Sequence, residues 1–422
     1  MKKLKDLPYY FGLKMRAFPS SAQKIVIDKN ISFARFYWNQ LVSANKTMAG
    51  LRHSKSFSWP WADAQIAHLQ ELCNPNCRLL KSWFMFLNDK ALDSNVPMQV
   101  NANYQAAWNL FSKVKRVRPP KFHKKRNYGS YQTSNVYKDS KVSVASPYNG
   151  NIRLLDQNHV FLPKVKRIRV AFSKELALRI IKMVQDGGEV RLTKATVSRD
   201  ACGDYYVIFH FASDVPYGTM FPKTGSKLGI DLNLENFLTD SDGRVVDNPR
   251  FDRHTRIQFA KAQRRLGKQC ALAKKEKRPL CTAKNYQKQR KLVARIQRRV
   301  MRRRHSFLDT LSTSLIKNHD LIAAEELRSM NLLRNHNISM SVHDVGWRKF
   351  LSMLEYKAKM HGRVFRTVDP SNTTQTCSHC GHVMKGGQKL TLNDREWRCP
   401  ACGTHHFRDH NAAKNILARA LS

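Results

Sequence analysis

The stretch TCSHCGHVMKGGQKLTLNDREWRCPACGTHHFRDHNAAKNI, Thr376–Ile416, decides how the chain is read. Cys377 and Cys380 form one C-x2-C pair and Cys399 and Cys402 another, with 18 residues between them, room for a short hairpin. Four thiolates at this spacing suit a tetrahedral zinc ion with no open position better than they suit unpaired thiols or disulfides. Gly381 and Gly403 each follow the second cysteine of a pair, where a tight turn calls for positive φ. Next come Asp409 and a helical-looking NAAKNILARAL. A carboxylate at the edge of a metal-clamped loop, in a basic protein, points to chemistry rather than packing.

Working outward, 422 residues allow two or three domains and a sizeable core. Lysine and arginine number 75 against 31 acids, a formal charge of +44. Such an excess repels itself unless a polyanion neutralises it, so nucleic acid is the expected partner, ahead of a membrane surface. No apolar run nears the roughly 20 residues that span a bilayer. The opening MKKLKDLPYYFGLKMRAFPS lacks a long apolar segment and a small-residue cleavage site, so an intracellular protein is expected. Nine cysteines, four of them in the ribbon, fit a reducing compartment better than a disulfide scaffold. Cys73 and Cys77 are spaced C-x3-C with no second pair nearby, and read as buried or helix-surface thiols.

Residues 4–18 alternate loosely and read as a strand ending at Pro19. Ser20 or Ser21 can cap the helix that follows, with Ile25, Ile27, Ile31, Phe33, Ala34, Phe36 and Trp38 as its apolar stripe. Helical patterns continue over 62–72, 79–87 and 97–111, giving a helical domain inserted after one strand. Its aromatics, Trp38, Trp83, Phe84, Trp108 and Phe111, read as core. From Lys113 the run KVKRVRPPKFHKKRNYGSYQTS interleaves cations with Phe122, Tyr128 and Tyr131, which suits a phosphate backbone with stackable bases. Short strands follow: VSVAS, NIRLLD, HVFLPKV, KRIRVAF, EVRLTKATVSRD and DYYVIFHFAS. A helix, KELALRIIKMV, interrupts them. Together they suggest a small β-barrel that the first strand completes.

A second architecture begins near Gly229. Asp231 sits inside the apolar strand KLGIDL, where a carboxylate must be paired, hydrogen-bonded or metal-bound. Phe251–His305 holds 20 lysines or arginines and only two acids, Asp252 and Glu276. Leu292, Ile296 and Val300 recur every four positions, so a basic helical hairpin, broken near Gly267–Pro279, is expected to grip phosphates. A buried strand, LIAA, ends at Glu325 and Glu326. Then come an amphipathic helix ending at Gly362, the strand RVFRTVD, and the ribbon. Asp231, Glu325 and Asp409 thus lie in comparable settings on separate elements. Carboxylates from separate elements can converge on hard cations such as Mg2+, two of which can perform phosphodiester cleavage.

GIDLNLENF, the basic hairpin, AAEEL, DVGWRKFLSMLEYKAKMHGR, DPSNTTQTCS and the TCSHCG…CPACG…RDHNAAKNI block together resemble TnpB, the RNA-guided nuclease of insertion-sequence transposons. Compact type V CRISPR effectors are similar. The likeness is specific over about 227–422 and looser before that. It implies a multidomain α/β protein. Residues 1–20 and 113–226 would form a wedge β-barrel and 21–112 an inserted helical recognition domain. Residues 227–422 would form a RuvC-type, RNase H-like nuclease domain carrying a four-cysteine zinc ribbon at 372–406. It also implies Asp231, Glu325 and Asp409 as catalytic Mg2+ ligands, two ions, structural zinc on the four cysteines, a noncoding guide RNA and a DNA target flanked by a short motif. A bacterial or archaeal cytoplasmic protein follows, with a monomer as the expected state.

Three departures from the family pattern stand out. Asn233 replaces the glycine of GIDLG, a change expected to affect strand packing. Glu326 follows Glu325, and strand alternation favours Glu325 as the ligand. Phe407 replaces the first acid of DRD. The main expectation is an RNA-guided DNA endonuclease. The alternatives are a catalytically inactive RNA-guided repressor, a strand-transfer enzyme of a transposon, and a zinc-ribbon protein of ribosomes or tRNA. The last needs the charge and the ribbon but neither Asp231 nor Glu325.

Overall fold

The computed structural model describes residues 6–53, 60–73, 80, 83–114, 117–126, 128–137, 149–326, 346–391 and 393–422. Its residues cluster into two compact units, Met1–Tyr217 and Gly218–Ser422. The division falls before the expected 226/227 boundary, because Phe221 stacks on His361 at 4.3 Å and packs on the second unit's core.

The first unit is built on β1 (Tyr9–Phe18), β2 (Gly129–Ser134), β3 (Arg153–Asp156), β4 (His159–Leu162), β5 (Lys166–Ala171), β6 (Val190–Arg199) and β7 (Tyr205–Ser213). They form one antiparallel sheet in the order β2-β6-β7-β1-β5-β4-β3, so the first strand lies in the middle of the sheet. Hydrogen bonds draw its edges together: the Asn151 N–H donates to the Val136 carbonyl at 3.1 Å and the Ile152 N–H to Asn135 Oδ1 at 3.0 Å. VSVAS and Cys77 lie outside the described residues. The tail of the basic run forms β2, which buries Tyr131 and Thr133. Tyr131 is therefore core rather than a stacking platform, while Phe122 and Tyr128 stay exposed.

Helix α1 (Ser21–His53) opens with a capping box. The Gln23 N–H donates to Ser20 Oγ at 3.3 Å and the Ser20 N–H to Gln23 Oε1 at 3.0 Å. Its buried face carries Ile27, Phe33, Ala34, Tyr37, Leu41 and Val42, whereas Ile25 is exposed. These side chains share one core with Leu13, Met15, Val207 and Phe209, so among the described residues the helical insertion packs into the sheet's core. Helices α2 (Pro60–Leu72) and α3 (Val96–Lys113) follow; of the helix expected over 79–87, Leu80 and Trp83 are helical, Met85–Asn88 is a short 3-10 turn, and residues 79, 81 and 82 lie outside the described residues. Trp83 and Phe111, read as core, are exposed. Helix α4 (Lys174–Gln185) lies between β5 and β6.

In the second unit, β8 (Lys227–Asp231), β9 (Asn236–Asp240), β10 (Val245–Asp247), β11 (Leu321–Glu325) and β12 (Val364–Val368) form a mixed sheet in the order β10-β9-β8-β11-β12. The first three are an antiparallel meander, and β8, β11 and β12 run parallel. Helices α5 (Phe251–Lys275) and α6 (Lys284–Asn318) connect β10 to β11. Gly267 lies inside α5, and the break comes after Lys275. Val293, not Leu292, joins Ile296 against Ala262, and Val300 is buried further along the helix; Leu292 is 41% exposed. Helix α7 (Trp347–His361) and helix α8 (Arg408–Leu421) complete the unit.

Strands β13 (Glu396–Arg398) and β14 (His405–Phe407) pair antiparallel around the second cysteine pair. The hairpin expected between the pairs is not formed among the described residues. That stretch holds a 3-10 turn at Gly386–Gln388 and one bridge, Thr376 to Val383. Among the described residues, no helix is long and apolar enough to cross a membrane.

Helix α8 lies directly on β8, and Gly229 makes this possible. A Cβ at this glycine would sit 2.1 Å from the Ala413 carbonyl oxygen and 2.9 Å from Leu417. Both are hard to move, one being backbone. Gly229→Ala is therefore expected to destabilise the second unit by about 3 kcal/mol, the upper range for overpacking. Urea unfolding of this variant checks it; a midpoint equal to wild type would contradict this packing.

Candidate active site

The parallel strands β8 and β11 are neighbours, and each ends in an acid: Asp231 and Glu325. Helix α8, laid on β8 through Gly229, contributes Asp409 from its first turn. The helix N-terminus there favours negative charge. Asp231 is only 7% exposed. Burial raises its carboxyl well above the ordinary carboxylate range, and the nearby charges of Glu325 and Asp409 push it further; Arg408 partly opposes them. The three acids thus share one electrostatic environment. Glu325 is raised as well, by burial, against a hydrogen bond from Thr373 that favours its ionised form.

Of the two adjacent glutamates, Glu325 faces this site and Glu326 is exposed, with its N–H bonded to the Val368 carbonyl at 2.8 Å. Glu326 lies just past the end of β11. Phe407 is exposed on β14.

Several neighbours escaped the sequence reading. Asn233 donates from Nδ2 to Asp409 Oδ2 at 3.2 Å, and its Oδ1 accepts the Asn236 N–H at 2.8 Å. Its position was expected to bear on strand packing, yet it touches a site acid. Arg408 donates from Nε to Asp409 Oδ1 at 3.1 Å, and Arg395 Nη1 lies 3.8 Å from Asp409 Oδ2. Thr373, nearly fully buried, donates its hydroxyl to Glu325 Oε1. The amphipathic patterns that mark elements carry no signal for such contacts.

Carboxylates are the donors a hard divalent cation prefers, but among the described residues the four cysteines are the group whose ligand atoms lie close enough to share one ion, and the three acids do not gather that closely. Carboxylate oxygens come from three separate elements, and one buried acid is left with more negative charge around it than its arginine offsets.

The four cysteine sulfurs lie within 4.8 Å of one another. Cys377 and Cys402 are 3.8 Å apart, and Cys380 and Cys399 3.6 Å. Tetrahedral Zn–S bonds of about 2.3 Å put sulfurs roughly 3.8 Å apart, so the cluster could hold zinc. Both turns take the form expected: Gly381 has φ +78° and Gly403 +70°, and their N–H groups bond the Cys377 and Cys399 carbonyls. Hydrogen bonding with Thr404, whose hydroxyl lies 3.2 Å from the sulfur, lowers the Cys402 thiol, while the neighbouring sulfurs push the Cys380 thiol up. His406 Nε2 lies 3.1 Å from the Cys377 sulfur. Trp397, Met384 and Leu390 pack a small core beneath.

Two asparagines on α8 tie the ribbon to the site. Asn411 accepts the Ser378 N–H and donates to the Thr376 carbonyl, both at 2.8 Å. Asn415 donates to the Thr373 carbonyl at 2.8 Å and to that of Thr376 at 2.6 Å.

Comparison with known proteins matches residues 347–416 to the family model "Cas12f1-like, TNB domain" and residues 210–336 to the model "Probable transposase". A Streptomyces pristinaespiralis protein named as an RNA-guided DNA endonuclease is 29% identical over 97% of this chain and 89% of its own length. InsQ of Escherichia coli K12, similarly named, is 26% identical over 67% of each chain. Among solved structures, Cas12f1 in a complex with sgRNA and target DNA aligns over 97% of this chain and 98% of its own. Its TM-score is 0.53 at 13% identity, which is a likeness of fold.

Asp231 has a folded-state carboxyl that binds its proton more tightly than the unfolded one. Its contribution to stability is therefore greatest in acid and is lost as pH rises above the unfolded value of about 3.9. In Mg2+-free buffer, Asp231→Asn should melt above wild type at pH 7.5, and the gap should close as pH falls towards 4. Melting curves across that range check it; a variant that melts below wild type at pH 7.5 would contradict the crowding of charge.

Proposed function

We propose a cutting mechanism for a chain that belongs to the TnpB family of RNA-guided DNA endonucleases: Asp231, Glu325 and Asp409 form the catalytic centre of a metal-dependent DNA nuclease directed by a guide RNA. The observation that carries this reading is the burial of Asp231 at the end of β8, beside the parallel strand β11 that ends in Glu325, with Asp409 in the first turn of the helix laid on β8. A bare carboxylate cluster would repel DNA, and divalent cations remove that conflict. Two Mg2+ ions held there would supply Lewis-acid stabilisation of the attacking and leaving oxygens of a phosphodiester. Asn233 and Arg408 orient Asp409, and Thr373 holds Glu325. Four cysteine ligands leave zinc no open position, so the ribbon braces the fold instead of reacting.

The mixed sheet order supports a RuvC-type, RNase H-like nuclease domain, and the near-meeting edges of the first sheet support a wedge barrel with residues 21–112 as its recognition insert. Base pairing with the guide supplies sequence specificity in such systems, while protein grips backbone and shape. The charge of +44 serves that grip. Arg265, Lys268, Lys288 and Arg295 line one groove between α5 and α6, a ready track for phosphates.

Asp231→Ala, purified with its RNA, should lose plasmid cleavage to background and keep RNA-dependent DNA binding. Retained cutting would refute the assignment, and an inactive wild type that still binds target DNA would favour the repressor reading. For the groove, each neutralised phosphate adds about −0.9 to the log–log salt slope on duplex DNA. Replacing those four cations with glutamine should flatten the slope by roughly 2 to 4 units; an unchanged slope would remove the groove from the interface.

A further inference from the structure

We propose that Thr373 is the positioning residue of Glu325, and that Asn411 and Asn415 make the zinc ribbon part of the catalytic centre by fixing where Thr373 sits. This rests on the three-acid reading above. Thr373 is 2% exposed, and its hydroxyl donates to Glu325 Oε1, with the Pro370 carbonyl also 3.2 Å away. Holding one carboxylate oxygen fixes the rotamer and leaves Oε2 as the oxygen available to a cation.

Thr373 is not on the sheet that carries Glu325. It belongs to the turn after β12 that leads into the first cysteine pair, where the Gln375 and Thr376 N–H groups bond the Asn372 carbonyl at 3.2 and 3.0 Å. That turn is stapled from behind by two amides one helical turn apart on α8. Asn415 takes the carbonyls of Thr373 and Thr376, and Asn411 takes the Thr376 carbonyl and the Ser378 N–H. Both asparagines are buried. Just ahead of Asn411, the first turn of the same helix carries Asp409. Helix α8 therefore presents one acid itself and, through the ribbon's leading turn, aims the hydroxyl that holds another. Cys377, one residue beyond Thr376, pins the far end of that turn to the sulfur cluster. A group outside the ligand set that orients a ligand typically governs about 10–100-fold in metal affinity or activity.

The test uses the full chain with its RNA and compares Thr373→Val, Thr373→Ser, Asn415→Ala and Asp231→Ala. Valine keeps the shape of threonine and removes the hydroxyl; serine restores it. Two readouts are taken: the Mn2+ concentration that gives half the thermal stabilisation, and kcat and KM for target cleavage. Thr373→Val and Asn415→Ala should raise the Mn2+ midpoint about tenfold or more and lower kcat by a similar factor, with KM for target unchanged. Thr373→Ser should stay within about threefold of wild type, a margin well inside that range. A wild-type midpoint and kcat for Thr373→Val, while Asp231→Ala loses its Mn2+ response, would overturn this inference alone. Equal impairment of the serine and valine variants would overturn it in favour of packing. A full Mn2+ response in Asp231→Ala would instead sink the three-acid reading beneath it.

Discussion

The second unit is organised around a concentration of negative charge that it does not neutralise by itself. Asp231 is buried at the end of a strand that is apolar on both faces, and Glu325 and Asp409 add to its charge. Burying like charges side by side costs free energy, so the surrounding fold must hold them there. It does so by rigid means. Two parallel strands fix two of the acids in register, and a glycine lets a helix settle onto one strand closely enough to bring in the third. Arginine and asparagine side chains then restrain Asp409, and a threonine restrains Glu325. Cations held there would relieve that crowding of charge.

The ribbon's place in this scheme follows from the same geometry. A small module with a core of little more than Trp397, Met384 and Leu390 cannot hold its shape on apolar burial alone, and metal coordination by the four sulfurs would supply the remainder. Its leading turn is bonded to α8 by side-chain amides, so the rigidity gained at the sulfurs passes to the helix and to the acids. The basic hairpin of α5 and α6 answers a different need. It bridges β10 and β11 with long, cation-rich helices whose inner faces are apolar and whose outer faces are open to phosphates.

What the sequence disclosed, and what it withheld, divides by distance along the chain. The cysteine pairs and their glycines are local patterns, and the positive φ at Gly381 and Gly403 follows from spacing alone. Asp231 stood out as a charge within an apolar run, and Glu325 closes β11 while Glu326 lies exposed beyond it. The placing of Asp231 and Glu325 on neighbouring strands was legible only through family likeness, since it depends on β8 pairing with β11 across a long helical insertion. Asn233 and Thr373 were missed as partners of the acids because their bonds join residues 176 and 48 positions apart, and no periodicity reports such a contact. Periodicity also erred by phase: it chose Leu292 and Ile25, each a neighbour of the side chains that actually face inward. In β2, the surrounding charge hid a strand whose Tyr131 belongs to the core.

The most direct measurement of the central claim is anomalous diffraction from crystals of the protein soaked in saturating Mn2+. The account predicts a manganese peak within about 2.0–2.3 Å of an Asp231 carboxylate oxygen, bridged by an oxygen of Glu325 or Asp409. Well-ordered crystals that show all three carboxylates with no peak among them would contradict it.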